Sequence, residues 1–367
     1  MFCLELKIIY STPGMVEKNQ PKERIIMSEK ILEVLATVSL QDKHIKRIRA
    51  VDPSIRLSSY ASKEADSIPP ELWDKVEVLL TSGRNLPKPE MVPNLKWAQN
   101  SLAGVETLLK SDLAHKSGLL ITSASGTMVA TMGEYTMMAM LMLAHKIPEI
   151  IQLQRKKEWG NNLSKALQPQ DLRGLTVGIV GYGSIGREVA RLLQPFGMTI
   201  LAAKKNMMKL EDEGYSPAGL GDPEGKLFTR LYPIEALKGM LSECDYVVIA
   251  LPHTPETHHL FDKEVFDAMK PGAFLVNVAR GGMVKDEDLV AALKSGKVAG
   301  AVLDVFDPEP LPADSPYWSL PNVIITPHVS GVTADLMDDV VELFAVNLKR
   351  YLSGQTLYNR VDLDKGY

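Results

Sequence analysis

The sequence predicts an α/β protein made of two doubly wound domains, and three observations carry that prediction. Short apolar runs rich in β-branched residues alternate with amphipathic helical segments, the pattern of parallel sheets with crossover helices. One run, "LTVGIVGYGSIG", passes straight into the glycine pattern GxGxxG and then into a helix. Several later runs end in a polar or ionisable residue, as strands opening on a ligand crevice do.

Taken in order, residues 1–26 are expected to be an N-terminal extension, because regular patterning begins at "MSEKILEVLATVSL". The opening "MFCLELKIIY" makes a poor signal peptide: Glu5 and Lys7 interrupt it and no small-residue cleavage site follows. From Ile31 to about Ser123, strands and helices are read from "ILEVLA", "DKHIKRIRA", "VEVLLT", "NLKWAQ" and "GLLITS". A helix is expected from Gly126 to Pro148, where proline should end it, and it should cross between domains. A second series of six strands follows in "LTVGIVG", "TILAA", "YVVIA", "AFLVNV", "GAVLDV" and "NVIIT". The helical run at 337–354 is expected to pack back on the first domain. The domains are therefore expected at 27–125 with 330–367, and at 126–329. The stretch 207–231 is too long for an ordinary connection and should be either functional or mobile.

Composition narrows the function classes. A chain of 367 residues that is 45% hydrophobic can bury large cores. A net charge of -4 without a basic block gives no reason to expect nucleic acid or an anionic membrane as partner. The apolar run "YTMMAMLMLA" is about half the roughly 20 residues of a spanning helix. Only Cys3 and Cys244 are present, so neither a disulfide framework nor a zinc site is expected, and a cytoplasmic location is.

The glycine pattern has a physical reading. Gly181 permits the tight turn, Gly183 lets the backbone approach a pyrophosphate, and Gly186 lets the helix pack closely on the strand. Amides near Ser184 and Ile185 would meet the anion at a helix N-terminus. About 20 residues on, where an acid would bind the ribose 2′-hydroxyl of NAD, the strand ends in Lys204 and Lys205. Ammonium groups there would attract a 2′-phosphate, which favours NADP over NAD; the competing reading is two solvated lysines at a strand end.

Arg280, Asp304, Glu309 and His328 all follow apolar runs and should converge on the crevice. An Arg, a Glu and a His together suit hydride transfer to a 2-oxo acid: a guanidinium fork anchors the carboxylate and polarises the carbonyl, and an imidazole exchanges the proton. Glu309 would hold the imidazole of His328 in one tautomer. Considered alone, a histidine such as His328 is more often structural.

The ordered motifs "NLKWAQNSLAGVETL", "GEYTMMAMLMLA", "LTVGIVGYGSIG", "LPHTPETHHLF", "VNVARGG", "LDVFDPEPLP" and "ITPHVSG" span roughly 75–335. On them the chain resembles the D-isomer-specific 2-hydroxyacid dehydrogenases, including glyoxylate and hydroxypyruvate reductases. That resemblance implies a flavodoxin-like, discontinuous substrate domain and a Rossmann coenzyme domain. It implies Arg280, Glu309 and His328 as catalytic. Coenzyme contacts are implied for Gly181 to Gly186, Tyr182 included, and for Lys204, Lys205, Leu251, Pro252, Thr257, Val278 and Ala279. Asp304 is implied to bind the nicotinamide carboxamide. Leu102, Ala103 and Gly104 would offer amides to the substrate carboxylate, with Gly83 and Arg84 nearby. A homodimer through the coenzyme domain is also implied. The chain departs from the family at Lys204, at His253 where Leu is common, and at Met132 and Gly133. Two other functions share the motifs: a cofactor-sensing, corepressor-like binding protein, and a phosphite-type oxyanion dehydrogenase suggested by Arg84.

Overall fold

The computed structural model describes residues 31–61, 67–84, 86–161, 167–363 and 365–366; the expected extension at 1–26 lies outside them. The described residues begin with strand Leu32–Ala36 (β1), helix Asp42–Arg49 (α1) and strand Ile55–Ser59 (β2). The sequence reading does not anticipate β2. It is an edge strand whose Ile55 and Leu57 are buried while Arg56 and Ser59 are exposed, so its apolar signal is short. Helix Pro70–Lys75 (α2), strands Val78–Thr81 (β3) and Trp97–Asn100 (β4), helix Glu106–Leu109 (α3) and strand Leu120–Thr122 (β5) complete the first unit. Its order is β2-β1-β3-β4-β5, the flavodoxin-like order, with every pairing parallel.

The single helix expected from Gly126 to Pro148 is instead two, Val129–Ala144 (α4) and Ile147–Lys156 (α5). Lys146 between them adopts a left-handed φ of 56°. Pro148 begins the second helix and does not end the first, because in an opening turn a missing N–H leaves no hydrogen bond unmade.

The second sheet begins with Thr176–Val180 (β6), followed by Ser184–Leu193 (α6), Thr199–Lys204 (β7), Arg230–Pro233 (β8), Leu237–Leu241 (α7) and Tyr246–Ile249 (β9). Then come Lys263–Ala268 (α8), Ala273–Asn277 (β10), Asp286–Ser295 (α9), Val298–Leu303 (β11) and Val323–Ile325 (β12). It is seven-stranded, in the order β12-β11-β10-β9-β6-β7-β8, where six strands are expected. The additional strand, β8, is the end of the long irregular segment, laid on the edge beside β7. Strands β6, β9, β10 and β11 are almost wholly buried, as parallel strands covered on both faces must be.

Helix Leu336–Leu352 (α10) returns to the first sheet. Its Val340, Leu343, Phe344 and Leu348 pack with Leu32, Val34 and Trp97, and the Trp97 and Phe344 rings lie 5.3 Å apart. Buried His44 of α1 meets Asp338 at 2.6 Å, and Arg47 grips Glu342 through two bonds of 2.7 Å.

The 207–231 stretch is anchored from both sides. Buried Arg187 of α6 donates to the carbonyls of Leu210 and Asp222. Asp222, also buried, accepts from the Tyr182 hydroxyl at 2.7 Å and from the amides of Lys226 and Leu227 at 3.0 and 2.9 Å. On the other side, Tyr215 donates its amide to Asn359 and packs edge-on against Tyr358. Burial alone would raise the Asp222 pKa, but those amides, Tyr182 and Arg187 hold it low.

Asp222→Ala leaves the buried Tyr182 hydroxyl and the part-buried amides of Lys226 and Leu227 without their acceptor and should destabilise the protein by roughly 1–3 kcal/mol in chemical denaturation at pH 7. Because the folded carboxyl has the lower pKa, its contribution is present above the unfolded value and is lost as pH falls. The deficit of the variant should therefore shrink below about pH 4.

Candidate active site

The phosphate-binding turn follows β6. Gly181 has φ of 109°, and a Cβ there would stand 2.6 Å from the Ala250 carbonyl. At Gly186 a Cβ would run into the carbonyl oxygen of Gly181 and come within 2.9 Å of Ile179, so this glycine sets the approach of α6 to β6. Gly183 differs: among the described residues, nothing beyond its immediate chain neighbours lies within 4 Å of its Cβ position. Nothing in the protein's own packing demands glycine there, whereas a pyrophosphate lying against the turn does, so the turn fits a dinucleotide. Ser184 and Ile185 form the first turn of α6. Tyr182 is buried, its hydroxyl taken by Asp222 and its ring flanked by Phe228 and Arg187.

Lys204 closes β7, beside the turn, and its ammonium donates to the carbonyl of Lys209. Burial and the charge of Arg187 lower its pKa. Lys205 is exposed, 4.0 Å from Glu256. After β9, Leu251 lies against Gly181, and Pro252 and Thr257 close a tight loop in which the threonine hydroxyl donates to the Pro252 carbonyl at 2.8 Å. His258 and His259 stand in a turn ahead of α8, which begins at Lys263, and both are exposed.

Past β10, Val278 and Ala279 are buried, and Arg280 Nη1 donates to the Ala279 carbonyl at 2.8 Å. Past β11, the carboxylate of Asp304 is fully buried. It accepts the Thr326 hydroxyl at 2.6 Å and the amides of Val329 and Ser330 at 2.9 Å each, while its carbonyl accepts the His328 amide at 2.9 Å. Both carboxylate oxygens are thus engaged in shaping the turn that carries His328. His328 itself has a left-handed φ of 54°. Its Nδ1 lies 2.8 Å from Glu309 Oε2, and Glu309 Oε1 accepts the Phe306 amide at 2.9 Å. A carboxylate accepts only, so Nδ1 carries the proton and Nε2 is left for exchange.

From the first sheet, Asn100 curls the following loop by donating to the carbonyls of Leu102 and Gly104, at 3.1 and 2.7 Å. Leu102 is exposed and Ala103 and Gly104 half-buried. Gly83 faces Asn100 across 3.6 Å from its Cβ position, and Arg84 is exposed. The loop meets the second sheet at Arg280: Nε donates to Glu106 Oε1 at 3.1 Å. Glu106 is the residue that sequence reasoning missed. Its only signal was its place in "AGVETL", just past the loop expected to meet the substrate. His253 lies on the same side, 3.1 Å from the Cβ position of Gly282, with Nε2 3.2 Å from His258 Nδ1. No group of three or more His, Cys, Asp or Glu among the described residues is arranged to hold a metal ion. No helix among them is long and apolar enough to cross a membrane.

Known proteins share this architecture. Residues 137–330, more than half of the chain, match the family description "D-isomer specific 2-hydroxyacid dehydrogenase, NAD binding domain". The chain is 34% identical over 276 residues to the glyoxylate reductase of Thermococcus gammatolerans, covering 73% of this chain and 77% of that protein. It is 30% identical over 289 residues to glyoxylate/hydroxypyruvate reductase B of Pectobacterium atrosepticum, covering 78% and 85%. The crystal structure of a D-isomer specific 2-hydroxyacid dehydrogenase from Xanthobacter autotrophicus Py2, in complex with NADPH and MES, aligns with a TM-score of 0.75 at 27% identity over 92% of this chain and 100% of that one. The glycine turn on β6, the parallel sheet behind it and these matches together show that the chain belongs to the D-isomer specific 2-hydroxyacid dehydrogenases and is an NAD(P)-dependent enzyme.

Proposed function

We propose that the protein reduces small 2-oxo acids such as glyoxylate or hydroxypyruvate to the D-2-hydroxy acid, with NADPH preferred over NADH. The observation that carries this reading is the placement of Arg280 just past β10, Glu309 past β11 and His328 past β12, three neighbouring parallel strands, with His328 and Glu309 hydrogen-bonded at 2.8 Å. Relatives named glyoxylate reductase and glyoxylate/hydroxypyruvate reductase support the substrate class.

The coenzyme, held at Gly181 to Gly186, supplies the hydride when bound. Arg280 binds the substrate: with Nε on Glu106 and Nη1 on Ala279, its remaining N–H groups are available to the carboxylate and the carbonyl oxygen. Gly104 and the neighbouring loop amides close over the carboxylate. As the carbonyl oxygen gains charge, the doubly protonated imidazolium of His328 donates its Nε2 proton to it and is left as the neutral Nδ1–H tautomer, held by Glu309, whose other oxygen is fixed by the Phe306 amide. Asp304 acts by fixing the His328 turn. The preference for NADPH rests on Lys204: burial and Arg187 weaken its hold on its proton, and an anionic 2′-phosphate would offset both. A homodimer through the coenzyme domain would cover apolar side chains that are exposed here, such as Met138 of α4 and Ile150 of α5.

His328→Gln should lower kcat for glyoxylate with NADPH by at least ~100-fold while NADPH still binds, as measured by fluorescence titration. An unchanged kcat would remove His328 from the proton transfer. For Lys204→Asp, the ratio of kcat/KM with NADPH to that with NADH should drop by roughly 10- to 100-fold, the worth of one charge-assisted contact. If the ratio stays as in the wild type, Lys204 does not select the coenzyme.

A further inference from the structure

Arg280 already holds a carboxylate of the protein's own. Its Nε donates to Glu106 Oε1 at 3.1 Å, and both side chains crowd the substrate loop: a Cβ on Gly104 would collide with Arg280 Nη2 and with Glu106 Oε2. The Glu106 carboxylate thus lies against the same guanidinium and the same glycine that are to receive the carboxylate of the substrate. Burial would raise its pKa, but the charge of Arg280, the residue's own amide and the bond from Arg280 hold it low, so Glu106 is anionic at neutral pH.

We propose that Glu106 is a specificity-determining residue that biases the site toward 2-oxo acids carrying a single negative charge and disfavours those with a second carboxylate or a phosphate. The proposal rests on the 2-oxo acid reading above and narrows its substrate class. A monocarboxylate is the second anion on one guanidinium; a dianionic substrate adds a third. The neighbouring groups do not offset this. Asp307 Oδ2 and His253 Nε2 stand 3.0 and 3.1 Å from the Cβ position of Gly282. His253 has its pKa lowered by burial and by His258, so it adds no cation at neutral pH. Arg84 is exposed, where solvent screens its charge. The Arg280 and Glu106 side chains are themselves 36% and 45% accessible, so screening reduces the repulsion and the expected discrimination due to Glu106 is about tenfold. Rejecting a competitor through an unfavourable charge is a general route to specificity.

Hydroxypyruvate and ketomalonate differ only in a hydroxymethyl group against a carboxylate, and with oxidised coenzyme neither can be reduced. Their dissociation constants should be measured by calorimetry on the full chain with saturating NAD+ and NADP+ in separate runs. Wild-type protein should favour hydroxypyruvate, and Glu106→Gln should narrow the affinity ratio at least ~10-fold with its melting temperature retained. Glu106→Asp, which keeps the charge, should keep the ratio. The proposal is overturned if Glu106→Gln leaves the ratio within twofold of wild type, if Glu106→Asp loses it equally, or if wild type binds neither compound. Turnover of the same pair with reduced coenzyme is scored separately: absence of wild-type turnover removes the reductase reading, while the binding ratio still decides the role of Glu106.

Discussion

The site depends first on one buried carboxylate. Asp304, at the end of β11, is removed from water, and a charge in that position is tolerable only when fully hydrogen-bonded. The partners that satisfy it are the Thr326 hydroxyl and the amides of Val329 and Ser330. These lie on either side of His328, so the requirement to solvate Asp304 forces the turn that presents the imidazole. Thr326 also meets the Tyr135 hydroxyl of α4, which ties the turn to the helix that follows the first unit. The left-handed backbone at His328 is kept by this network, since a non-glycine residue does not adopt it freely.

Around that knot, the remaining groups come from different elements for the same topological reason. Parallel strands all end on one side of their sheet, so residues placed just past β9, β10 and β11 share an edge although they are far apart in sequence. Arg280 is held on two sides, by the carbonyl of Ala279 and by Glu106 from the other sheet. The proposed anchor for the substrate is therefore also a contact between the first unit and the second sheet, and its electrostatics belong to both.

The 207–231 segment does more than join β7 to β8. Arg187 and Tyr182, which stand in and just after the glycine pattern, spend their side chains on its carbonyls and on Asp222. Between those two anchor points, Tyr215 reaches Asn359 beyond α10 and lies against Gly126, where a Cβ would collide with the Tyr215 carbonyl. The coenzyme turn and the crossing between the two sheets are thus braced by one piece of chain.

The sequence by itself determined the parallel α/β class, the glycine turn and the residues at the strand ends, because each is written locally: a run of apolar residues, three glycines at fixed spacing, a polar residue where a run stops. Elements whose signal is weak or ambiguous escaped it. Strands β2 and β8 are short edge strands with few apolar residues, and Pro148 reads equally as a helix end or a helix start until the backbone at Lys146 is known. Only the tertiary structure decided the pairings. Glu106 and Arg280 are 174 positions apart, and neither residue carries a mark of the other. Likewise, nothing local tells that Tyr182 is occupied by Asp222, or that Asp304 turns its carboxylate to the His328 loop. Local propensity acts over a few residues, whereas the identity of a charge's partner is set by which strands and loops the folded chain brings together.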